Sequence, residues 1–293
     1  MNISGWFAEF NLEVDLIFEY LRRERNLDFS GYSPLMVERC IKNRLEASGA
    51  LDLTGYLLML ENNRMELDSL LDSLTIGVSE FFRDPMVFSA IETFVLPTIF
   101  RDKVVSGDHS IRIWSAGCST GEEPYSVAIL SKESHFPGKL PVDIDIFGTD
   151  IDEKDLETAK TGEYPMERLN NVRMGLFGKY FEPQVDHYRV KKGIRDMVCF
   201  SYHDLLSQKE QVPGISVFGA FDMILCRNVL IYLDKKYQEI VLERLDRALR
   251  PGGFLVLGEA ESVGFSRRTR YRQVCDFCSI FQKGYGSSMQ GGS

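Results

Sequence analysis

The sequence predicts an α/β domain built on a mainly parallel sheet and preceded by an all-helical region, and three observations carry that expectation. The first ninety or so of the 293 residues repeat their apolar side chains at helical spacing. From Ile111 onward, short β-rich runs alternate with helical patterns, which is the signature of βαβ units. The junction between the first such run and the helix after it carries two glycines, Gly117 and Gly121, at the place where open α/β sheets bind ligands.

Taken in chain order, Phe10, Val14, Ile17, Phe18 and Leu21 mark a first helix, and Val37, Cys40, Ile41 and Leu45 mark a second that Gly49 ends. Apolar repeats continue from Leu57 to Leu74, and the segment from Leu74 to Pro85 reads as the link to the next domain. Strands are expected at 111–115, 144–149, 198–202, 223–226 and 254–258. Helices are expected at 153–160 and 236–249, the latter stopped by Arg250-Pro-Gly-Gly253. Residues 272–283 alternate enough for one or two edge strands. The stretch 180–197 fits neither period and reads as a small β insertion, with a hairpin at 186–195 turned by Lys192-Gly193. A length of 293 residues carries about two domains. The expected boundaries are 1–90 for the helical domain and linker, 91–286 for the sheet domain, and 287–293 for a disordered tail.

Composition narrows the function. A net charge of -9 argues against a general nucleic-acid binder, whose footprint is basic. The window from Leu21 to Ser48 runs the other way, with six basic residues against four acidic ones, so an acidic partner is a candidate for docking there. No apolar run reaches the roughly 20 residues of a membrane span, and the start of the chain lacks a signal peptide's pattern, so a cytoplasmic protein is expected. The six cysteines are scattered in mostly apolar segments and read as reduced, buried thiols. Cys275 and Cys278 form one lone C-x-x-C whose thiols would face opposite sides of an extended strand, and the histidines show no ligand spacing, so no metal is expected.

The chemistry begins at Ile111-Arg-Ile-Trp-Ser-Ala-Gly-Cys-Ser-Thr-Gly-Glu-Glu-Pro124. Dinucleotide sites place a pyrophosphate at the helix N-terminus, where Glu122 and Glu123 would repel it. Two carboxylates there suit a cationic amine or a sulfonium, and the inferred ligand is S-adenosylmethionine. On its own the acid pair also serves any helix start by complementing the macrodipole, and the glycine spacing is not G-x-G-x-x-G. Further strand ends add to the case. Asp150 closes the second strand, where a carboxylate accepts ribose hydroxyls, although Asp150 or its neighbour Asp152 would equally cap the next helix. Asp204 follows the third strand as an acceptor for an adenine amino group or as a turn residue. Arg227 and Asn228 end the fourth, and Tyr232 follows as a core or a catalytic tyrosine. Arg83, in the linker, either pairs with Asp84 or Glu80 or reaches a cleft.

The segments Leu74-Thr-Ile-Gly-Val-Ser-Glu-Phe-Phe-Arg-Asp-Pro85, Trp114-Ser-Ala-Gly-Cys-Ser-Thr-Gly-Glu-Glu-Pro-Tyr-Ser126, Thr149-Asp-Ile-Asp152 and Phe221-Asp-Met-Ile-Leu-Cys-Arg-Asn-Val-Leu-Ile-Tyr232 together resemble the chemotaxis receptor methyltransferases, the CheR family, in family order. The resemblance implies a class I, Rossmann-like S-adenosylmethionine-dependent methyltransferase with a helical receptor-recognition domain and a small β subdomain. It implies methyl transfer to glutamate side chains on the cytoplasmic helices of chemoreceptors, giving methyl esters and S-adenosylhomocysteine. Cofactor contacts are implied at Ser79, Arg83, Ala116, Gly117, Glu122 or Glu123, Asp150, Asp204, Leu205, Arg227 and Asn228, with Arg83 and Tyr232 near the transferred methyl. Gly77 stands where some relatives carry a cofactor-binding asparagine, so that contact is absent or made by backbone. Asp204 replaces an asparagine, keeping the acceptor and losing the donor.

A glutamate with a pKa near 4.3 is already an anion at neutral pH, so the expected task is alignment and not base catalysis. Competing readings are a nucleic-acid methyltransferase, which the absence of an Asn/Asp-Pro-Pro-Tyr segment at the fourth strand disfavours, a methyltransferase acting on another protein, and a noncatalytic adaptor of the same fold. Arg39, Lys42 and Arg44 are the expected receptor-docking cations, Arg44 lying nearer the apolar side of its helix. Some relatives tether to a receptor's C-terminal peptide through a glycine-richer insert, so a monomeric, tether-independent enzyme is expected here.

Overall fold

A computed structural model describes residues 3–25, 27–75, 77, 79–134, 142–207, 212–216, 220–264 and 267–285, with side chains from Glu13 onward. The Phe10 side chain and the expected tail at 287–293 lie outside the described residues. By its contacts the chain forms two units, Met1–Ile76 with Tyr232–Tyr237, and Gly77–Ile231 with Gln238–Ser293.

The first unit is helical: α1 (Ile3–Arg25), α2 (Pro34–Ser48), α3 (Leu53–Asn62) and α4 (Arg64–Leu74). Local chemistry sets each boundary. Pro34 opens α2, and Gly49 ends it in the left-handed region at φ 75. Asp52 caps α3 by accepting from Gly55 N at 2.7 Å, and Asn63 caps α4 by accepting from Met65 N and Glu66 N. The apolar stripes meet in a core that includes Ile17, Leu21, Phe29, Ile41, Tyr56, Leu60 and Leu70. The segment Tyr232–Tyr237 joins this unit through Ser33 N donating to Tyr232 O at 2.8 Å and Asp234 N donating to Gly31 O at 2.9 Å.

In the second unit, α5 (Pro85–Ala90), a π turn (Ile91–Val95) and α6 (Leu96–Ser106) lead into β1 (Ser110–Ala116), α7 (Glu122–Glu133), β2 (Asp143–Asp150) and α8 (Glu153–Thr161). There follow β3 (Glu163–Tyr164), a 3-10 turn (Met166–Leu169), α9 (Met174–Tyr180), β4 (Phe181–Pro183), β5 (Tyr188–Val190), α10 (Lys192–Arg195) and β6 (Val198–Tyr202). The unit closes with β7 (Phe221–Cys226), a 3-10 turn (Leu230–Tyr232), α11 (Lys235–Ala248, which begins among the residues of the first unit), β8 (Leu249–Leu257), β9 (Tyr271–Cys275) and β10 (Cys278–Lys283). The main sheet has the order β6-β2-β1-β7-β8-β10-β9. Its first four pairings are parallel and its last two antiparallel. Central β7 is buried at every position, as a parallel strand covered on both faces must be. The crossover from β1 runs to β2 on one side while β7 lies on the other, so the end of β1 is the topological switch point.

The contacts divide the chain after Ile76, within the expected link from Leu74 to Pro85, and Phe81, Phe82, Val87 and Phe88 are buried in the sheet unit's own core. Three expectations need correction. The expected hairpin at 186–195 is instead β4 with β5, in register Phe181↔Val190, and Lys192-Gly193 opens α10. Burial of Phe181 and Val190 sets that register, and β3 begins the subdomain at Glu163, ahead of the expected 180. The helix α11 ends at Ala248, just before Arg250-Pro-Gly-Gly253 as expected, but that segment lies inside β8 at a register shift between Phe221 and Met223, with Gly252 at φ 77, so the strand starts at Leu249 and not at 254. Cys275 and Cys278 straddle the turn between β9 and β10, so they face each other across the hairpin and form a disulfide, with Cα atoms 5.9 Å apart. Alternation along one strand does not apply to residues on two. Cys199 is exposed, while Cys40, Cys118 and Cys226 are buried free thiols as expected.

Candidate functional site

The turn after β1 is stitched to the end of β2. Gly117 N and Cys118 N both donate to Thr149 O, at 2.8 and 2.9 Å, and Trp114 Nε1 donates to Thr149 Oγ1 at 2.9 Å. Gly117 has φ 76, and a Cβ there would meet Val229 Cγ2 at 2.4 Å, so both conformation and space require glycine. Ser119 N donates to Asp150 Oδ2 at 2.7 Å, and its hydroxyl donates to Asp155 at 2.7 Å. Asp150 also accepts from Asp152 N at 3.0 Å, and His203 N at the end of β6 donates to Asp150 O at 3.0 Å. Burial pushes the Asp150 carboxyl up to about 6. The helix cap is Asp152, which accepts from Lys154 N and Asp155 N, so Asp150 is left at the strand tip.

The two acids of the first turn of α7 have separate environments. Glu123 accepts from Ser115 Oγ at 2.7 Å and from Arg227 Nη1 at 3.1 Å. Glu122 is fully buried, and its Oε2 accepts from Thr120 Oγ1 at 2.7 Å. Its Oε1 takes no hydrogen bond among the described residues, the nearest cation being Arg168 at 3.8 Å. Burial raises the Glu122 pKa. The field of these acids is felt by Cys118, whose thiol is held well above its usual range by burial and then by Asp150, Glu123, Glu122 and Asp155.

The linker lies on this turn. A Cβ at Gly77 would meet Asp155 Oδ2 at 2.8 Å and Ser119 Oγ at 3.1 Å, which is why the smallest residue stands there. Arg168 Nη1 donates to Ser79 O, Phe81 N donates to Arg168 O at 3.0 Å, and Phe82 N donates to Ser126 Oγ at 3.0 Å. Phe81 is anchored edge-on against Tyr164 and Phe181, at 4.9 and 5.0 Å between ring centres.

Arg227 is held by protein groups at this edge. Its side chain is 2% exposed, with Nη2 donating to Asp84 and, at 3.1 Å, to Arg83 O, and Nη1 donating to Glu123. The guanidinium is therefore a strut between linker and α7, with Nη1 and Nη2 donating to protein and Nε without a hydrogen-bond partner among the described residues. Asn228 is held at φ 57 and donates its backbone N to Glu261 Oε2 at 3.0 Å. Asp204 is a turn residue, accepting from Leu206 N at 2.8 Å, and Leu205 O accepts from Arg244 Nη1 at 2.5 Å. Of the five non-glycine residues with positive φ among those described, four line this edge: Phe82, Asp84, Ser119 and Asn228. Such strain gathers where a site over-determines the backbone.

The sheet thus brings Gly77, Ser79, Arg83, Ala116, Gly117, Glu122, Glu123, Asp150, Asp204, Leu205, Arg227 and Asn228 to the carboxyl ends of β1, β2, β6 and β7 and the linker over them. Tyr232, half-buried, belongs by its contacts to the helical unit, as do the docking candidates. Arg39 is exposed, and Lys42 pairs with Glu38 at 2.6 Å. Arg44 pairs with Glu66 through Nε at 3.0 Å and Nη2 at 2.5 Å, and Tyr56 OH donates to the same carboxylate at 2.8 Å, so this ion pair serves the helical core. Glu261 was missed, and its only sequence signal is an acid just past the fifth strand.

These residues fit S-adenosylmethionine. Strand-tip acceptors suit a ribose diol and an adenine amine, and the open buried oxygen of Glu122 within a field of carboxylates suits an ammonium and a sulfonium. Among the described residues no group of three or more metal-ligating side chains is found, and no helix is long and apolar enough to cross a membrane.

Comparison with known proteins gives the same reading. The description "CheR methyltransferase, all-alpha domain" matches residues 12–75, and "CheR methyltransferase, SAM binding domain" matches residues 77–277. A chemotaxis protein methyltransferase of Borreliella burgdorferi is 29% identical over 90% of this chain and 95% of its own length. One from Escherichia coli K12 is 34% identical over 80% of this chain and 78% of its own. An uncharacterized 104.1 kDa protein of Rhodobacter capsulatus is 33% identical over 84% of this chain, which spans only 25% of that protein. Among solved structures, the glycopeptide N-methyltransferase MtfA bound to S-adenosylmethionine is 12% identical over 56% of this chain and 53% of its own, with a TM-score of 0.31. The chain belongs to the CheR methyltransferase family, with an all-α domain followed by an S-adenosylmethionine-binding domain.

Proposed function

We propose that this protein methylates glutamate side chains on the cytoplasmic helices of chemoreceptors, using S-adenosylmethionine and releasing S-adenosylhomocysteine. The observation that carries the reading is the match of both family domains in order, residues 12–75 and 77–277, together with the similarity to chemotaxis protein methyltransferases of two bacteria. When bound, S-adenosylmethionine supplies an electrophilic methyl group. Asp150 accepts the ribose hydroxyls, Asp204 accepts from the adenine amine, and the open oxygen of Glu122 accepts from the ammonium. Arg83 orients the incoming carboxylate, while Tyr232 offers a hydroxyl and an aromatic face toward the sulfonium. The substrate carboxylate is ionised at neutral pH, so the enzyme contributes alignment, which supplies roughly 7 to 11 kcal/mol in well-oriented systems. Arg39 and Lys42 are the proposed docking cations of a monomeric, cytoplasmic enzyme.

The test is transfer of labelled methyl from S-adenosylmethionine to receptor-containing membranes. Label released by mild alkali and lost with Arg83→Ala supports carboxyl methylation. Label that resists alkali, or none on any receptor offered while cofactor binds, moves the substrate elsewhere.

A further inference from the structure

A buried acid outside the implied set of site residues holds the loop that carries two of them. Glu261 follows β8 and is 7% exposed. Its Oε2 accepts from Gly258 N at 2.7 Å and from Asn228 N at 3.0 Å, and its Oε1 accepts from Ile231 N at 3.2 Å. Ser279 Oγ donates to Glu261 O at 3.2 Å and fixes the acid's own backbone. Among the described residues its charge is met by three backbone N–H groups and by no cation.

The geometry is specific to a carboxylate. All three partners are donors, so each must find an acceptor, and a carboxylate is acceptor-only. Two of the three donors lie in the turn after β7, one on Asn228, held at φ 57, and one on Ile231, the residue before Tyr232. A left-handed Asn228 persists only where its surroundings over-determine it. The bonds to Asn228 N and Ile231 N brace both ends of that turn. Gly258 must stay small beneath them, since a Cβ there would meet Asn228 N and Glu261 Oε2, each at 2.8 Å.

We propose that Glu261 is a positioning residue: its carboxylate clamps the turn from Asn228 to Ile231, so that Asn228 meets the cofactor in one geometry. The cofactor contact rests on the proposed function, whereas the clamp is read by cofactor binding alone. Glu261→Gln keeps the size but turns an amide NH2 toward at least one N–H donor, and Glu261→Ala removes every acceptor.

The experiment measures the Kd of S-adenosylhomocysteine by calorimetry, with Tm, for the parent protein, Glu261→Gln, Glu261→Ala and a control, Asp222→Asn. Asp222 is also a buried acid on β7, at its opposite end, where it accepts from Arg112 N at 2.8 Å. Glu261→Gln is expected to weaken binding about tenfold and Glu261→Ala more, while Asp222→Asn lowers Tm at least as far with Kd changed less than threefold. Parent-like binding by a folded Glu261→Gln, or an equal loss in Asp222→Asn, overturns the proposal. Should the Glu261 variants not fold, hydrogen exchange on the parent decides. Asn228 and Ile231 amides that slow further on adding S-adenosylhomocysteine support the clamp, and rapid exchange in both states refutes it. Methyl transfer is read separately: no labelled receptor from the parent protein would sink the substrate reading and leave the clamp standing.

Discussion

The two ends of the main sheet both bury acids, and they neutralise them differently. At the amino end Asp222 is fully buried between Lys103 Nζ at 3.0 Å and Arg250 Nε, and Lys103 also holds Asp108 at 2.5 Å. Lys103, Arg250, Asp222 and Asp108 each have an opposite partner there, and that cluster is closed electrostatically. At the carboxyl end Asp150 and Glu261 are met by backbone N–H groups, and Glu122 keeps one oxygen open. Of the cations there, Arg227 is spent on Glu123, Asp84 and a linker carbonyl, and Arg168 stands 3.8 Å from Glu122. Negative potential is thus cancelled where the sheet needs only stability and retained where a cationic cofactor must bind.

The comparison breaks first at its strongest contacts. Asp222→Ala leaves Lys103 and Arg250 without their buried partner, and about 3 kcal/mol of stability should be lost. Urea unfolding checks this, and a loss under about 1 kcal/mol would mean that the amino end is not closed by charge. Arg227→Met should cost about 2 to 4 kcal/mol, because Glu123 and Asp84 lose their partner, and should also release the linker that carries Arg83. Its signature is faster amide exchange at Phe82 and Arg83 together with the fall in Tm.

The pH response sharpens the contrast. Asp150 is raised to about 6, mainly by burial, so between about pH 4 and 6 the folded state holds more proton on this group than the unfolded chain does. Its contribution to stability therefore declines as pH rises across that window and is flat above it. Asp108, lowered first by its hydrogen bond to Lys103, does the opposite: its contribution is present above about 4 and lost as pH falls below. In the proposed cofactor role of Asp150 the carboxylate is the acceptor, so affinity should fall as pH drops through about 6. Titrations at pH 5 and pH 7.5 that give equal Kd would contradict that role. The smallest effect is expected at the insert. The turn between β4 and β5, Gln184-Val-Asp-His187, has no glycine, and removing a receptor's C-terminal tail should leave its methylation rate nearly unchanged.

Much of this architecture was legible in the sequence, for a physical reason: parallel strands buried on both faces read as short apolar runs, and β1, β2, β6 and β7 begin or end within two residues of the expected positions. The acids at strand tips were legible because topology alone sends Asp150 and the α7 acids to one edge. What failed depends on partners distant in sequence. Arg227 meets Asp84 across 143 residues and Glu123 across 104, and Arg44 meets Glu66 across 22, so neither periodicity nor spacing could mark them as ion-paired. Glu261 reaches Asn228 across 33 residues and announces itself by nothing but a position after a strand. The Cys275–Cys278 bridge and the β4–β5 register were missed because a turn, and not strand alternation, decides which residues face each other.

The most direct test of the contrast is calorimetric titration of S-adenosylmethionine into the parent protein, Asp150→Ala and Asp222→Ala at pH 7.5. The account predicts binding to the parent, a loss of at least a hundredfold in Asp150→Ala with Tm little changed, and near-parent affinity in Asp222→Ala despite its lower Tm. Parent-like affinity in Asp150→Ala would contradict the assignment of the carboxyl edge as the cofactor site.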